Sequence, residues 1–330
     1  METGEVLRLS RTVDGAQPNG DSSDPMISGD GSTIVFASAA DNLSENDGNG
    51  VEDVYAVRIG ASRTGSAAAA TLNYSYIYWN PAEPGWGYNL QHQGNLLYGT
   101  WYTYADDGQV LFLTVEASAQ SDGSFVGPVY RVAGTPFDQI NGSPAFTSVS
   151  EVGSARMVFD SSGRLILSYS VFEVTQTKQL ERFLFSDRAP SCYGTLESRS
   201  AAANYSDLWW NSAEPGWGLT LSHQGESIFL LWYTYADGGR DQWISGSALQ
   251  RQPDGSYSGS LQRPDSGISL GQINGAATSF PVPAVGTASL TFSSGEQGIF
   301  SYTLDGVTQS KAIERFVVVS EDQPKPVCSP

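Results

Sequence analysis

Residues able to do chemistry come in matched pairs along this chain. Glu83 and Glu214 each sit in an Ala-Glu-Pro-Gly-Trp-Gly loop, and a histidine follows each on the next segment, His92 and His223, the only two in the chain. Asp106 and Asp237 close matching Trp-Tyr-Thr-Tyr-Ala-Asp runs. Two carboxylates flanking one glycosidic bond are the machinery of sugar hydrolysis, one acting as acid and the other as base or nucleophile. A structural reading stands beside it: the glutamates cap their loops or pair with Arg182 and Arg315. Each histidine precedes a glycine turn, where its ring either bonds the turn or faces a pocket mouth. With the loops stiffened by Pro84 and Pro215, Glu83, Trp86 and His92 are expected to converge in one pocket, as are Glu214, Trp217 and His223.

Other catalytic readings are poorer. One histidine per copy, with no second His or Cys at ligand spacing, argues against a metal site. The run Gly267-Ile-Ser-Leu-Gly271 matches the nucleophile-elbow pattern, but no strand-to-helix turn surrounds it and the first copy reads Gly134-Thr-Pro-Phe-Asp138, so the match reads as accidental. Asp47, Asn49 and Asp53 lie in an oxygen-rich loop that is either a Ca²⁺ loop lacking the full ligand series or an ordinary turn. No other cofactor is expected.

Aromatic residues carry the most positive signal. Trp79, Trp86, Tyr102 and Tyr104, with Trp210, Trp217, Tyr233 and Tyr235, are more than a core of this size commonly needs. Flat aromatic faces beside amides and carboxylates hold sugar rings by stacking and hydrogen bonds. The competing reading is an aromatic-rich barrel core.

The elements that must position these residues follow from an internal repeat. Asn73 to Gly94 lies over Asn204 to Gly225 without a gap, Gln139-Ile-Asn-Gly142 matches Gln272-Ile-Asn-Gly275, and Glu181-Arg-Phe183 matches Glu314-Arg-Phe316. Each copy reads as about eight strands. In the second, Trp217, Leu219, Leu221 and His223 alternate with small or polar residues, the period of a half-buried strand. Ile228 to Tyr235 is apolar on both faces, so it is a central strand or carries a ligand surface on one side. Further strands are expected at 242–248, 256–263, 286–292, 298–304 and 310–319, separated by Asp-Gly and Ser-Gly turns. Sequential hairpins favour an up-and-down barrel or a small meander sandwich. The expected fold is therefore all-β, two homologous antiparallel barrel or sandwich domains at 73–192 and 193–330, after an N-terminal region at 1–60 and a small-residue linker at 61–72. In strand size, and in the Trp-Trp-Asn that opens the second copy, the units resemble avidin-like barrels.

With 17 Lys plus Arg against 35 Asp plus Glu, the net charge of -18 repels nucleic acid and anionic membranes. No apolar run reaches the ~20 residues that span a bilayer, and the first residues do not read as a signal peptide, so the chain is expected to be soluble, a mature form or a fragment. Cys192 and Cys328 stand just after the two copies, where they are either bridged in an oxidising compartment or two free thiols.

Two resemblances add to this. Ser28-Gly-Asp-Gly-Ser-Thr-Ile-Val-Phe-Ala-Ser38, with Asp53-Val-Tyr-Ala-Val-Arg58, resembles one blade of the TolB-type β-propellers, and Gly4 to Ser10 resembles the outer strand of a preceding blade. The Trp-rich unit is similar to a repeat of bacterial secreted proteins written W-W-N-P-x-E-x-G-W-G with a later H-Q-G; that resemblance implies secretion or a periplasmic site and supplies no reaction. Together these readings give a binding protein for a polysaccharide or another extended cell-surface ligand. The alternative is a glycosidase working through Glu83 and Glu214 with Asp106 and Asp237.

Overall fold

The computed structural model describes residues 8–12, 16–27, 33–44, 50–58, 73–187, 190–275 and 281–329. The chain divides into two compact units, Met1–Ala67 and Ala68–Pro330. In the first, β1 (Ser22–Ile27), β2 (Thr33–Ser38) and β3 (Asp53–Arg58) form a three-stranded antiparallel meander. Its apolar side gathers Phe36, Ala40 and Leu43, with Phe36 stacked on Tyr55 at 5.9 Å. Residues 1–7 and 28–32 of the propeller-like stretches, and the linker expected at 61–72, lie outside the described residues.

The second unit holds two closed eight-stranded antiparallel barrels. Barrel 1 is built from β4 (Ile77–Trp79), β5 (Gly87–Gln93), β6 (Leu96–Tyr104), β7 (Val110–Ala119), β8 (Phe125–Gly134), β9 (Phe146–Phe159), β10 (Leu165–Val171) and β11 (Val174–Arg182). After it, β12 (Cys192–Thr195) leads into barrel 2: β13 (Asp207–Trp210), β14 (Gly218–Gln224), β15 (Ser227–Ala236), β16 (Arg240–Arg251), β17 (Tyr257–Gln262), β18 (Ala284–Phe292), β19 (Gln297–Leu304) and β20 (Val307–Arg315). The last strand, β21 (Lys325–Cys328), pairs with β12, and a disulfide joins Cys192 to Cys328 across that pair. Each barrel runs in chain order, and its last strand closes on its first. The turn chemistry is local: Asp305 and Gly306 both take positive φ, 49° and 83°, the primed geometry that matches strand twist.

The two apolar faces of β15 now have separate explanations. Ile228, Leu230 and Trp232 point into the core of barrel 2, whereas Leu231, Tyr233 and Tyr235 point outward into a second core shared with barrel 1. That layer has near two-fold symmetry. Trp243 meets Tyr102 and Tyr104 at 5.3 and 5.8 Å, and Phe112, its counterpart in barrel 1, meets Tyr233 and Tyr235 at 5.5 and 5.7 Å. Hydrogen bonds repeat the symmetry. The Gln93 amide donates to Phe316 O and accepts from Val318 N, while the Gln224 amide donates to Phe183 O and accepts from Phe185 N. β20 stops at Arg315 and not near 319: beyond it Phe316 N still donates to Leu208 O, but Phe316 O and Val318 N are taken by the Gln93 side chain of barrel 1.

The loop after β8 does not cover its own barrel. Phe137, Ile140 and Ala145, around a short 3-10 turn at Phe137–Gln139, are packed in the core of barrel 2. Reciprocally, Leu270 and Ile273, around the 3-10 turn at Leu270–Gln272, are packed in the core of barrel 1. Each barrel is thus plugged by the other, and the repeated Gln-Ile-Asn-Gly motif is the plug.

Candidate functional site at the barrel mouths

The Ala-Glu-Pro-Gly-Trp-Gly loops form the mouths that receive these plugs. Each starts with an asparagine turn: Asn80 O accepts from Glu83 N at 2.9 Å, and Asn211 O accepts from Glu214 N at 3.0 Å. Pro215 then presents its carbonyl to Ala145 N and Phe146 N, at 2.7 and 3.2 Å, so the loop docks on plug backbone. Gly216 is required here on two counts. Its φ is 120°, and a Cβ would stand 2.3 Å from Phe146 N.

Inside mouth 2 both carboxylate oxygens of Glu214 are used. Oε1 accepts from Lys311 Nζ at 2.9 Å and from Gly142 N, on the plug, at 2.6 Å; Oε2 accepts from Trp217 Nε1 at 3.2 Å. Lys311 also donates to Ile140 O at 2.8 Å, tying the plug to the barrel wall. Mouth 1 repeats the clamp with Lys178, which donates to Glu83 Oε1 and to Ile273 O, both at 2.8 Å. The second half of the arrangement differs. Glu83 Oε2 and Trp86 Nε1 are buried and have no hydrogen-bond partner among the described residues.

The arginine pairing considered for these glutamates is not formed. Because β11 runs antiparallel to β4, residues before Glu181 lie beside the chain after Trp79, which brings Lys178 to the mouth and leaves Arg182 further down the strand. Arg182 instead lies over the Tyr76 ring at 3.9 Å, and Arg315 pairs with the buried Asp207 at 2.7 Å. Two of the chain's three lysines therefore do the work, and their repeated Val-Thr-Gln-Thr-Lys and Val-Thr-Gln-Ser-Lys contexts were the signal in the sequence.

The histidines sit elsewhere. Trp86 precedes β5 and His92 lies near its far end, roughly 20 Å away at strand spacing. The expected convergence of Glu83, Trp86 and His92, and of their counterparts, therefore does not occur. His92 Nδ1 accepts from Tyr74 N at 3.4 Å, and His223 Nδ1 accepts from Tyr205 N at 3.2 Å, while His223 Nε2 bonds Gly225 O at 2.9 Å. Asn73, Ser75, Asn204 and Ser206 complete these latches against strand backbone. Burial lowers both imidazole pKa values, that of His92 to about 4, which keeps Nδ1 free to accept.

Asp106 and Asp237 lie exposed in hairpin turns, whereas Glu83 and Glu214 are buried. Tyr102, Tyr104, Tyr233 and Tyr235 belong to the layer between the barrels, and Trp86 and Trp217 lie buried beneath the mouths. Trp79 and Trp210 stay half-buried at the two seams, edge-on to Phe183 and Phe316 at 5.2 and 5.0 Å. Asp47 and Asn49 of the proposed Ca²⁺ loop lie outside the described residues, and Asp53 opens β3. Among the described residues no group of three or more His, Cys, Asp or Glu is placed to hold a metal ion.

Above mouth 1 runs a groove of about 450 Å³, lined by Asn80, Glu83, Arg164, Thr177, Lys178 and Asn274 among others. Beneath it Glu83, Trp86, Tyr104, Ile268 and Ile273 bound a cavity of about 10 Å³, room for one water-sized group. The groove is open and lined by amide, hydroxyl and guanidinium groups, with the buried Lys178–Glu83 pair at its floor and aromatic and apolar walls below. No protein-family model, no curated protein and no solved structure matches the chain.

Proposed function

We propose that the tandem barrels form a secreted or periplasmic binding protein for a hydroxyl-rich extended ligand of the polysaccharide class, held at the barrel mouth. The groove over mouth 1 carries this reading. Its lining mixes donors and acceptors without a dominant charge, and neutral polyols are recognised by that mixture. The Cys192–Cys328 bond supports an oxidising compartment, and the acidic chain disfavours nucleic acid and anionic lipid as partners. The N-terminal three-stranded sheet fits the reading of one blade from a larger propeller.

Binding without turnover is the expected activity, because Glu83 is held in an ion pair with Lys178 and Asp106 is exposed on a turn. A glycan array, with a parallel screen of chromogenic glycosides, tests it. Retention of a polymer that weakens on Asn80→Ala plus Thr177→Ala supports the reading. Hydrolysis abolished by Glu83→Gln would establish the glycosidase alternative, and no retention of any polymer would remove the glycan assignment.

A further inference from the structure

We infer that mouth 1, and not mouth 2, is the recognition site, and that the small cavity beneath it takes a primary hydroxyl group on a CH₂ arm of the ligand; this rests on the glycan reading above. The two mouths share the glutamate, the lysine and the tryptophan but not their bonding. In mouth 2 the Trp217 indole donates directly to Glu214 Oε2, and Gly142 N fills the other oxygen, so the site is closed on itself. In mouth 1 the matching atoms, Glu83 Oε2 and Trp86 Nε1, are unpartnered although their residues are only 4% and 3% exposed. The plugs differ in the same sense: Phe137 fills mouth 2, whereas the smaller Leu270 fills mouth 1.

The chemistry of the unpartnered pair selects the group. A carboxylate oxygen only accepts and an indole N–H only donates. One group serving both must donate and accept at once, which a hydroxyl does. An ammonium has no lone pair for the indole, and an anion has no proton for Glu83 and meets its charge. The cavity has room for one water-sized group and is walled by Ile268 and Ile273, so a slender CH₂OH arm enters where a ring carbon bearing a secondary hydroxyl meets the apolar wall. Glu83 borders both the cavity and the groove, so an arm bound below leaves the rest of a sugar against Asn80, Thr177 and Lys178.

The test uses the indole N–H resonances of the ¹⁵N-labelled full chain, assigned through Trp86→Phe and Trp217→Phe, titrated with D-glucose, D-galactose and D-mannose and with their 6-deoxy counterparts of the same configuration, 6-deoxy-D-glucose, D-fucose and D-rhamnose. The expected result is a saturable shift of the Trp86 signal with at least one hexose, no shift at Trp217, and an affinity roughly ten- to hundredfold weaker for Glu83→Gln or for the 6-deoxy sugars, the loss of a hydrogen bond to a charged group. Glu214→Gln, which alters the closed mouth, is expected to leave that affinity in place. An equal response to 6-deoxyhexoses, a response confined to Trp217, or a Trp86 signal unmoved by every sugar overturns the inference. Polymer retention with an unmoved Trp86 signal leaves the glycan reading standing and removes only this site, whereas neither response removes both.

Discussion

Substituting Phe137 with alanine separates an exchanged plug from an ordinary loop, because the residue belongs to the first repeat and its contacts to the second barrel. The ring is buried, edge-on to Trp232 at 5.9 Å and angled to Tyr302 at 6.4 Å, inside barrel 2. Truncating a buried phenylalanine costs about 3 to 5 kcal/mol, and a site at a barrel mouth, where neighbours and water relax into the gap, belongs near the lower figure. For a unit of this size about 3 kcal/mol corresponds to a loss of roughly 6 to 12 °C in Tm. Hydrogen exchange read by mass spectrometry shows where the loss falls. Faster exchange is expected to be largest across β13 to β20, with a smaller rise in β4 to β11, whose Leu270 plug belongs to barrel 2, and Leu270→Ala is expected to give the mirror image. Exchange that rises in barrel 1 alone on Phe137→Ala, or a Tm that does not move, would refute the plug exchange and every argument built on it.

Three further outcomes follow from the same geometry. A cut near Ala201, expected from the repeat alone to give two independent domains, should instead yield halves that lack their plugs and expose the Tyr102 and Tyr233 layer, so each half is expected to be unfolded or to self-associate at micromolar concentration in sedimentation runs; two stable monomers would contradict this. His92 has its pKa lowered by burial to about 4, so between about pH 6.5 and 4 the unfolded chain binds the proton and the native protein does not; stability should be full above about 6.5 and fall through that window, by up to ~3 kcal/mol, measured as urea midpoints against pH, with a shallower slope in His92→Gln. Cys192→Ser plus Cys328→Ser opens a loop with a sequence separation of 136, for which closure entropy gives about 5 kcal/mol of destabilisation, and an unchanged denaturation midpoint would show that the β12 and β21 pair holds without the bond.

Much of the fold was legible in the residues themselves. The doubling, the eight strands of each copy and the hairpin order follow from a period of two and from Asp-Gly and Gln-Gly turns, which are local signals that neighbouring residues settle among themselves. Even the puzzle of Ile228 to Tyr235 was visible as two apolar faces. Tertiary structure decided what those faces meet and where the loops go. Gln139-Ile-Asn-Gly142 announces itself as a repeated motif, but no pattern within it says that it crosses to the other barrel, since its destination depends on the seam that buries Tyr102, Tyr233 and Trp243 together. The same holds for Glu83, whose partner proved to be Lys178 and not Arg182, because antiparallel closure of β11 on β4 fixes which rung of the strand reaches the mouth. Strand pairing is written along the chain at short range; the identity of a buried ion's partner is set by register across residues about a hundred positions apart, and only the closed barrel fixes that register.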